Sequence, residues 1–359
     1  MTGPLSLNFQ ERVMFCLRDL YRQYGYSQYK MSKFEEYDLY ARNKDFLISD
    51  GVITFMDTNG RLMALKPDVT LSIVKNTRDA PDAVRKLYYN ENVYRVSKST
   101  RTFKELMQVG LECLGQIDDC CICEVLSLAA GSLRAISPDC VLDISHLGLL
   151  SELIEALGIP ADQKSAVLTA IGQKNLHDLT LLCSRCGLSD PHTKLLKQAV
   201  SLNGPLCEVL PQLKKLLSGT VNTNPLDQLL NISAVLEDAN LFRFDFSTVD
   251  DLHYYNGIIF KGYLRGLPGS ILSGGQYDKL MEKMGRQSGA IGFAVYLDSL
   301  ERLEPQSPDF DVDTLLLYDE TTPTETVENR ARLLRQAGHS VLTQRKLPED
   351  LRYRQIIRL

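Results

Sequence analysis

The sequence predicts an α+β protein: an antiparallel sheet flanked by helices, with a helical insertion and a small C-terminal α/β unit. Three observations carry that prediction. Strand and hairpin signals run from Tyr26 to Leu114 and return from Leu241 to Ser273. Between them, residues 148–239 change to leucine-rich helical patterns punctuated by Gly158, Gly172, Gly187 and Gly204, enough for about five helices. Beyond Glu304-Pro305-Gln306-Ser307-Pro308, a linker by composition, a strand, a helix and a second strand form a βαβ pattern. The expected organisation is a core over 1–303 that contains the insertion, a linker over 304–311 and a partial α/β domain over 312–359.

Each element has a local reason. Asn8-Phe9-Gln10-Glu11 offers an asparagine cap and an acid at the third helical position. Val13, Cys16, Leu17, Leu20, Tyr21 and Tyr24 then follow at the spacing of one helical face, and Gly25 suits a helix stop. Tyr26 to Phe34 is strand-like. Val52 to Met56 and Leu62 to Leu65 flank Asp57-Thr58-Asn59-Gly60 as a hairpin. Pro67-Asp68 opens a helix through Val74. Leu87 to Leu114 reads as two strands joined by a polar loop, Cys120 to Leu133 as a helix and Val141 to Ile144 as a strand. Strands return at Leu241–Phe246, Tyr254–Phe260 and Ser270–Ser273; a helix follows Gly274-Gly275 and another ends near Leu303. Past the linker, Thr314 to Tyr318 is a buried strand, Thr322-Pro323-Thr324-Glu325 a capping box, and Ser340 to Thr343 the next strand. The unit ends at Leu359, short of a full doubly wound domain, so it is either naturally short or a piece of one.

Composition narrows the function. The chain has 359 residues, 44% hydrophobic and 24% charged, which suits an ordinary globular protein of two or three domains. A net charge of -5 does not favour a phosphate backbone as partner. No apolar run reaches membrane-spanning length, and Met1-Thr2-Gly3-Pro4 lacks the basic and apolar regions of a signal peptide, so the cytoplasm is the expected location. Nine cysteines include Cys183-Ser184-Arg185-Cys186 and a cluster of Cys120, Cys121 and Cys123. The cluster is too tight for a zinc knuckle and no histidine pair sits nearby, so reduced, mostly buried thiols are expected, with no metal and no cofactor.

Four blocks in order carry a resemblance. They are Leu65-Lys66-Pro67-Asp68-Val69-Thr70; Gln108-Val109-Gly110-Leu111-Glu112; Leu252-His253-Tyr254-Tyr255-Asn256-Gly257; and Gly274-Gly275-Gln276-Tyr277-Asp278 with Ala290 to Ala294. Together they resemble the histidyl-tRNA synthetases and their paralogues, and imply a class II aminoacyl-tRNA synthetase-like core. Asp68, Thr70 and Gln108 supply acceptors for the ammonium of an amino acid. The family pattern assigns the imidazole to Glu112 and Tyr255, with Tyr254 beside them and Tyr277 closing the pocket. Plainer readings stand next to these. Glu112 could be one half of a buried ion pair, Tyr254 and Tyr255 core aromatics, and Asp68 a helix cap. His253 receives no role, and Cys113 reads as core.

The departures from the pattern are equally specific. Three arginines that a synthetase directs at ATP fall at Tyr89, Asp250 and Ser299. Losing one such group removes about two or three powers of ten in rate, and neither Arg101 nor Arg302 restores the set. Ser32 stands where the first family motif has proline. This profile is similar to one paralogue family, the regulatory subunits of ATP phosphoribosyltransferase. That resemblance implies a non-catalytic chain that binds L-histidine and joins a short-form catalytic subunit to support activity and feedback inhibition in histidine biosynthesis. It also implies a homodimer within a hetero-octamer or larger, and no tRNA. The C-terminal βαβ resembles part of an anticodon-binding-type domain. The alternative is a divergent histidyl-tRNA synthetase that still activates histidine and charges tRNA.

Overall fold

The computed structural model describes residues 7–44, 47, 51–79, 82–97, 100–236, 238, 240–249, 255–303 and 310–359. Residues 10–299 form one compact unit, and a second holds the residues from 300 onward with the N-terminal ones.

In chain order the first unit begins with α1 (Phe9–Gln23), β1 (Ser27–Gln28), β2 (Phe34–Glu36), α2 (Tyr37–Arg42), β3 (Thr54–Met56), β4 (Leu62–Leu65) and α3 (Thr70–Asn76). The long hairpin β5 (Arg85–Val96) and β6 (Phe103–Gly115) follows, then α4 (Asp119–Ile136) and β7 (Cys140–His146). Six helices come next: α5 (Leu147–Ala156), α6 (Ala161–Gly172), α7 (Leu176–Arg185), α8 (Asp190–Ser201), α9 (Leu206–Leu217) and α10 (Asn224–Val235), with the short β8 (Asn203–Pro205) between α8 and α9. The sequence reading had about five. The unit closes with β9 (Phe242–Asp245), β10 (Ile258–Leu264), β11 (Leu272–Gln276), α11 (Asp278–Lys283), β12 (Gly289–Tyr296) and a 3-10 helix, Leu297–Leu303. Neither α2 nor β12 was assigned from sequence. β12 carries the Ala290–Ala294 block, and its glycines hid the strand pattern.

Nine strands make one sheet in the order β1-β5-β6-β12-β11-β10-β7-β9-β8. Its centre, from β5 to β7, is antiparallel throughout, while β1 pairs parallel to β5 and β9 parallel to β7. The second sheet, β2-β4-β3, includes the expected hairpin: Asp57 Oδ1 accepts from the backbone N–H of Asn59 and of Arg61, and Gly60 takes φ +78° at the turn.

One face of the large sheet is covered by helices. On α1, Val13, Leu17 and Tyr21 are buried at four-residue spacing. The Tyr21 ring lies edge-on to Phe293 at 5.9 Å and tilted against Tyr88 at 6.3 Å, and its hydroxyl bonds Ser132 Oγ on α4 at 3.0 Å. Side chains alternate across a strand, so Tyr88, Leu111 and Phe293 face these helices while Tyr89, Glu112 and Gly292 face the other way.

In the second unit, β13 (Val312–Leu317) is followed by α12 (Thr324–Gln336), β14 (Val341–Gln344) and β15 (Tyr353–Arg358). The three strands are parallel, with β13 between β14 and β15. The strand β15 was not anticipated. The expected capping box does not form: α12 starts at Thr324 behind Pro323 with no side-chain cap, because the Thr322 hydroxyl is bonded to Asp319 instead.

Candidate functional site

The site is a cavity on the face of the sheet opposite α1 and α4, against the start of α3. Its floor is built from residues with little or no side chain, Gly292 and Ala294 on β12 and Ser273 on β11, and Gly110 on β6 lies under the Tyr89 ring. The glycines are steric requirements. A Cβ at Gly292 would overlap Glu112 Oε2 and the Leu111 carbonyl, and one at Gly110 would overlap the Tyr89 hydroxyl and the Phe293 carbonyl. Glu112 and Tyr89 therefore lie flat across the sheet.

Glu112 is 2% exposed and takes a hydrogen bond on each oxygen. Thr70 Oγ1 donates to Oε1 at 2.7 Å and the Tyr277 hydroxyl to Oε2 at 2.6 Å. Burial drives its carboxyl up from 4.5 to about 8; the two hydroxyls oppose that rise, and Asp68 adds to it. No cation lies within ion-pair distance among the described residues, so Glu112 is not half of a structural salt bridge. Each carboxylate oxygen can accept a second bond, and the residue keeps capacity for a ligand.

Asp68 caps α3 and also lines the cavity. Its Oδ1 accepts the Leu71 N–H at 2.9 Å at the start of the helix. Burial raises its carboxyl above the usual range, while Arg95 pulls it down. Gln108 is 3% exposed and faces the cavity, and no hydrogen bond joins its side-chain amide to a described residue. Tyr255 is half-buried at the cavity wall beside Tyr277. Asp68, Thr70, Gln108, Glu112, Tyr255 and Tyr277 thus converge in one place. Thr70 donates its hydroxyl proton to Glu112 and keeps its oxygen lone pairs as acceptors towards the cavity. Tyr254 and Asp250 lie outside the described residues.

Three further lining groups escaped the sequence reading. Arg95 reaches the cavity from β5, with Nε donating to the Pro67 carbonyl at 3.0 Å. Tyr296 sits opposite Gln108 across the β6–β12 ladder. Tyr89, read from sequence only as a missing arginine, is a buried wall residue; burial first and then Glu112 raise its hydroxyl well above the tyrosine range. Strand parity could have found Arg95, which is six residues from Tyr89 and so on the same face of β5. Ser299 is exposed on the 3-10 helix, away from the cavity lining. Arg101, with φ +53°, is exposed in the β5–β6 loop. Beside the cavity, Lys66 is 1% exposed and pairs with Glu91.

The cavity is narrow: about 30 Å³ is open to the centre of a water-sized sphere. A wider cleft of about 680 Å³ lies among α7, α8 and α9, but none of its polar side chains is buried. Among the described residues no group of three or more His, Cys, Asp or Glu could hold a metal ion. The thiols are free but not mostly buried as expected; only Cys113 and Cys183 are buried, since α4 turns Cys120 outward and leaves Cys121 and Cys123 half-exposed. No helix among the described residues is long and apolar enough to cross a membrane.

A mixed sheet of this order, with a cavity built on the face opposite α1 and α4 between the long hairpin and the glycine-rich strands, defines a class II aminoacyl-tRNA synthetase-like fold. The chain belongs to the histidyl-tRNA synthetase family, whose model matches residues 2–300. It is 29% identical to the ATP phosphoribosyltransferase regulatory subunit of Clostridium kluyveri, over 94% of this chain and 90% of that one. Among solved structures, an ATP phosphoribosyltransferase regulatory subunit/histidyl-tRNA synthetase from Bacillus halodurans aligns with TM-score 0.78 at 22% identity, covering 100% of this chain and 98% of the other. A chain of the ATP phosphoribosyl transferase (HisG:HisZ) complex from Thermotoga maritima aligns with TM-score 0.63 at 20% identity, over 81% and 97% respectively.

Proposed function

We propose that this chain is a non-catalytic regulatory subunit of ATP phosphoribosyltransferase. It binds L-histidine and joins a short-form catalytic subunit, conferring activity and feedback inhibition on it. The observation that carries this reading is the imbalance of the cavity. It presents two carboxyls, the unbonded amide of Gln108 and several hydroxyls, but a single cation, Arg95, among its described lining residues. Activation of an amino acid with ATP needs several cations around the phosphates and the charge that develops there. The amino-acid half of such a site is furnished here and the nucleotide half is not.

In this reading Asp68 and Gln108 take the ammonium of histidine, and Glu112, oriented by Thr70 and Tyr277, takes one ring nitrogen. Tyr255, with Tyr254 beside it, covers the ring. The narrowness of the cavity has a regulatory consequence. In this reading histidine is admitted by movement of a side chain that lines the narrow cavity. Binding and conformation are then coupled, which feedback requires: histidine must favour the inhibited assembly over the active one. The chain acts in the cytoplasm as a homodimer within a hetero-octamer or larger, does not bind tRNA, and divides into the core, linker and partial α/β domain expected from sequence.

The test is to mix the chain with a short-form catalytic subunit and measure phosphoribosyl transfer with and without histidine. Activation that histidine reverses supports the proposal; no effect on the catalytic subunit removes it. A divergent synthetase would instead show robust ATP–pyrophosphate exchange in the presence of histidine.

A further inference from the structure

We propose that Arg286 and Asp79 are positioning residues for the histidine site: they clasp the far ends of α3 and α11 together and so hold the two hydroxyls that aim Glu112. This rests on the proposed histidine binding and adds the device that keeps its imidazole contact in place. Thr70 opens α3 and Tyr277 directly precedes α11, and each donates to one oxygen of Glu112. The near ends of the two helices therefore meet on one carboxyl. Helices of seven and six residues are too short to persist without tertiary support, so their far ends need a tie as well.

The clasp makes that tie from both sides. Arg286, half-buried in the turn after α11, donates from Nη2 to the Val74 carbonyl at 2.8 Å and to the Lys75 carbonyl at 3.3 Å. These carbonyls belong to the last turn of α3, and Val74 is one turn from Thr70. The cap on α3 comes from 212 residues away, so it joins two elements rather than ending one locally. Asp79, just beyond α3, answers in the other direction. Its carboxylate accepts the Gln287 N–H at 2.8 Å, the Ser288 N–H at 3.3 Å and the Ser288 hydroxyl. Those bonds, the one from Gln287 first, hold its carboxyl below the usual range. Two residues past Ser288, the Ala290 carbonyl accepts the Tyr277 N–H at 3.0 Å, and the Ala290 N–H donates to Asp278 Oδ1 at 2.9 Å. Arg286 thus leads to Thr70 through one helical turn, and Asp79 leads to Tyr277 through the first residues of β12. The path is short. Leu114, two residues past Glu112 on the same face of β6, shares a depression with Asp79 and Arg286, about 7 Å along the strand from Glu112.

Double-mutant cycles on the full chain separate this role from a structural one, with histidine affinity read by calorimetric titration. Each clasp residue is paired with the hydroxyl it leads to: Arg286→Met with Thr70→Val, and Asp79→Ala with Tyr277→Phe. Each single clasp variant is expected to weaken histidine by about three- to tenfold, a fraction of what a hydrogen bond to a buried carboxylate contributes. Arg286→Lys keeps a donor for the α3 carbonyls and should stay within about twofold of wild type. Once a hydroxyl is gone its placement no longer matters, so each double variant should bind within about twofold of its hydroxyl variant alone. Urea melts identify a variant that fails to fold, and the other cycle then decides. Additive losses, or clasp variants that melt earlier yet bind histidine like wild type, would mean that the clasp only stabilises the fold and would overturn the inference. Hydroxyl variants that bind as tightly as wild type would overturn it too, while leaving histidine binding intact. A wild type that binds no histidine would remove the histidine site itself and this inference with it.

Discussion

Glu112 offers the sharpest perturbation, because one substitution changes stability and binding in ways that separate. In the free protein its carboxyl titrates near 8 rather than 4.5, chiefly because it is buried. Between those values the native state keeps a proton that the unfolded chain has already lost, so stability falls as pH rises through the window and is fully restored below about 4.5. At pH 7 the penalty is about 3 kcal/mol. Glu112→Gln keeps the shape and cannot ionise. Its stability at pH 5 is expected within about 1 kcal/mol of wild type, since one hydroxyl contact must reverse its direction. Above that pH the slope of roughly 1.4 kcal/mol per pH unit disappears, and the variant becomes the more stable protein by pH 8. Binding moves the other way. A protonated Glu112 can pass its proton to the imidazole and leave a buried carboxylate–imidazolium pair, which the amide cannot do. Histidine affinity at pH 7 should drop ten- to hundredfold, or about 1.5–3 kcal/mol. Urea denaturation at pH 5, 6.5 and 8, with calorimetric titration at pH 7, measures both. An unchanged slope would show that the carboxyl is ionised when buried; affinity within twofold of wild type would remove Glu112 from the binding site.

Other residues give independent checks. Gly292→Ala places a methyl into Glu112 Oε2 and the Leu111 carbonyl, so it should destabilise by about 1–3 kcal/mol in denaturant melts, and a melt like wild type would contradict the tight approach. Lys66→Met strands Glu91 beside an apolar neighbour; a loss of about 2–4 kcal/mol is expected, largely recovered when Glu91→Gln is added, and a double-mutant cycle reads the coupling. His146 caps α5 by accepting the Leu149 N–H at 3.2 Å, and burial holds its ring below the usual 6.5. The unfolded chain gains a proton first as pH drops below 6.5, so stability is lost there; His146→Asn keeps the cap and should lose less between pH 7 and 5.5 in urea midpoints.

What could be read from sequence was whatever a short window contains. The β5–β6 hairpin was legible because its alternation and polar loop are contiguous, and Glu112, Gln108 and Asp68 because each sits in a recognisable block. The α12 capping box failed because the Thr322 hydroxyl had a competing partner three residues away, a choice that composition does not reveal. Tyr296 and Ser273 were missed because nothing local marks them, and Arg95 because its one local mark is its parity with Tyr89 on β5. They join the site only when β5 is tied to the Pro67 segment and when β11 and β12 close beside β6. The bond from Thr70 to Glu112 was not legible for the same reason, since the two are 42 residues apart. Cysteine burial failed because the expectation came from thiol chemistry, whereas exposure is set by which face of α4 each residue occupies.

On the proposed reading Tyr89 stands where a synthetase has a catalytic arginine, and its effect reaches beyond that charge. Its hydroxyl lies over Gly110 on the face that carries Glu112, and the two groups interact electrostatically. A guanidinium there would stabilise the Glu112 carboxylate and hold it ionised at neutral pH. A buried neutral phenol offers no such field, and desolvation is left to set the Glu112 carboxyl near 8. The titratable acid on the amino-acid side is thus a consequence of the change on the nucleotide side. A synthetase needs a permanently charged site to gather phosphates. A sensor gains from one whose charge appears only with its ligand, since the energy that separates the free and bound states is then largest at the contact that recognises the imidazole. Under this reading, abandoning the chemistry and acquiring the sensing are two effects of the same substitution on β5.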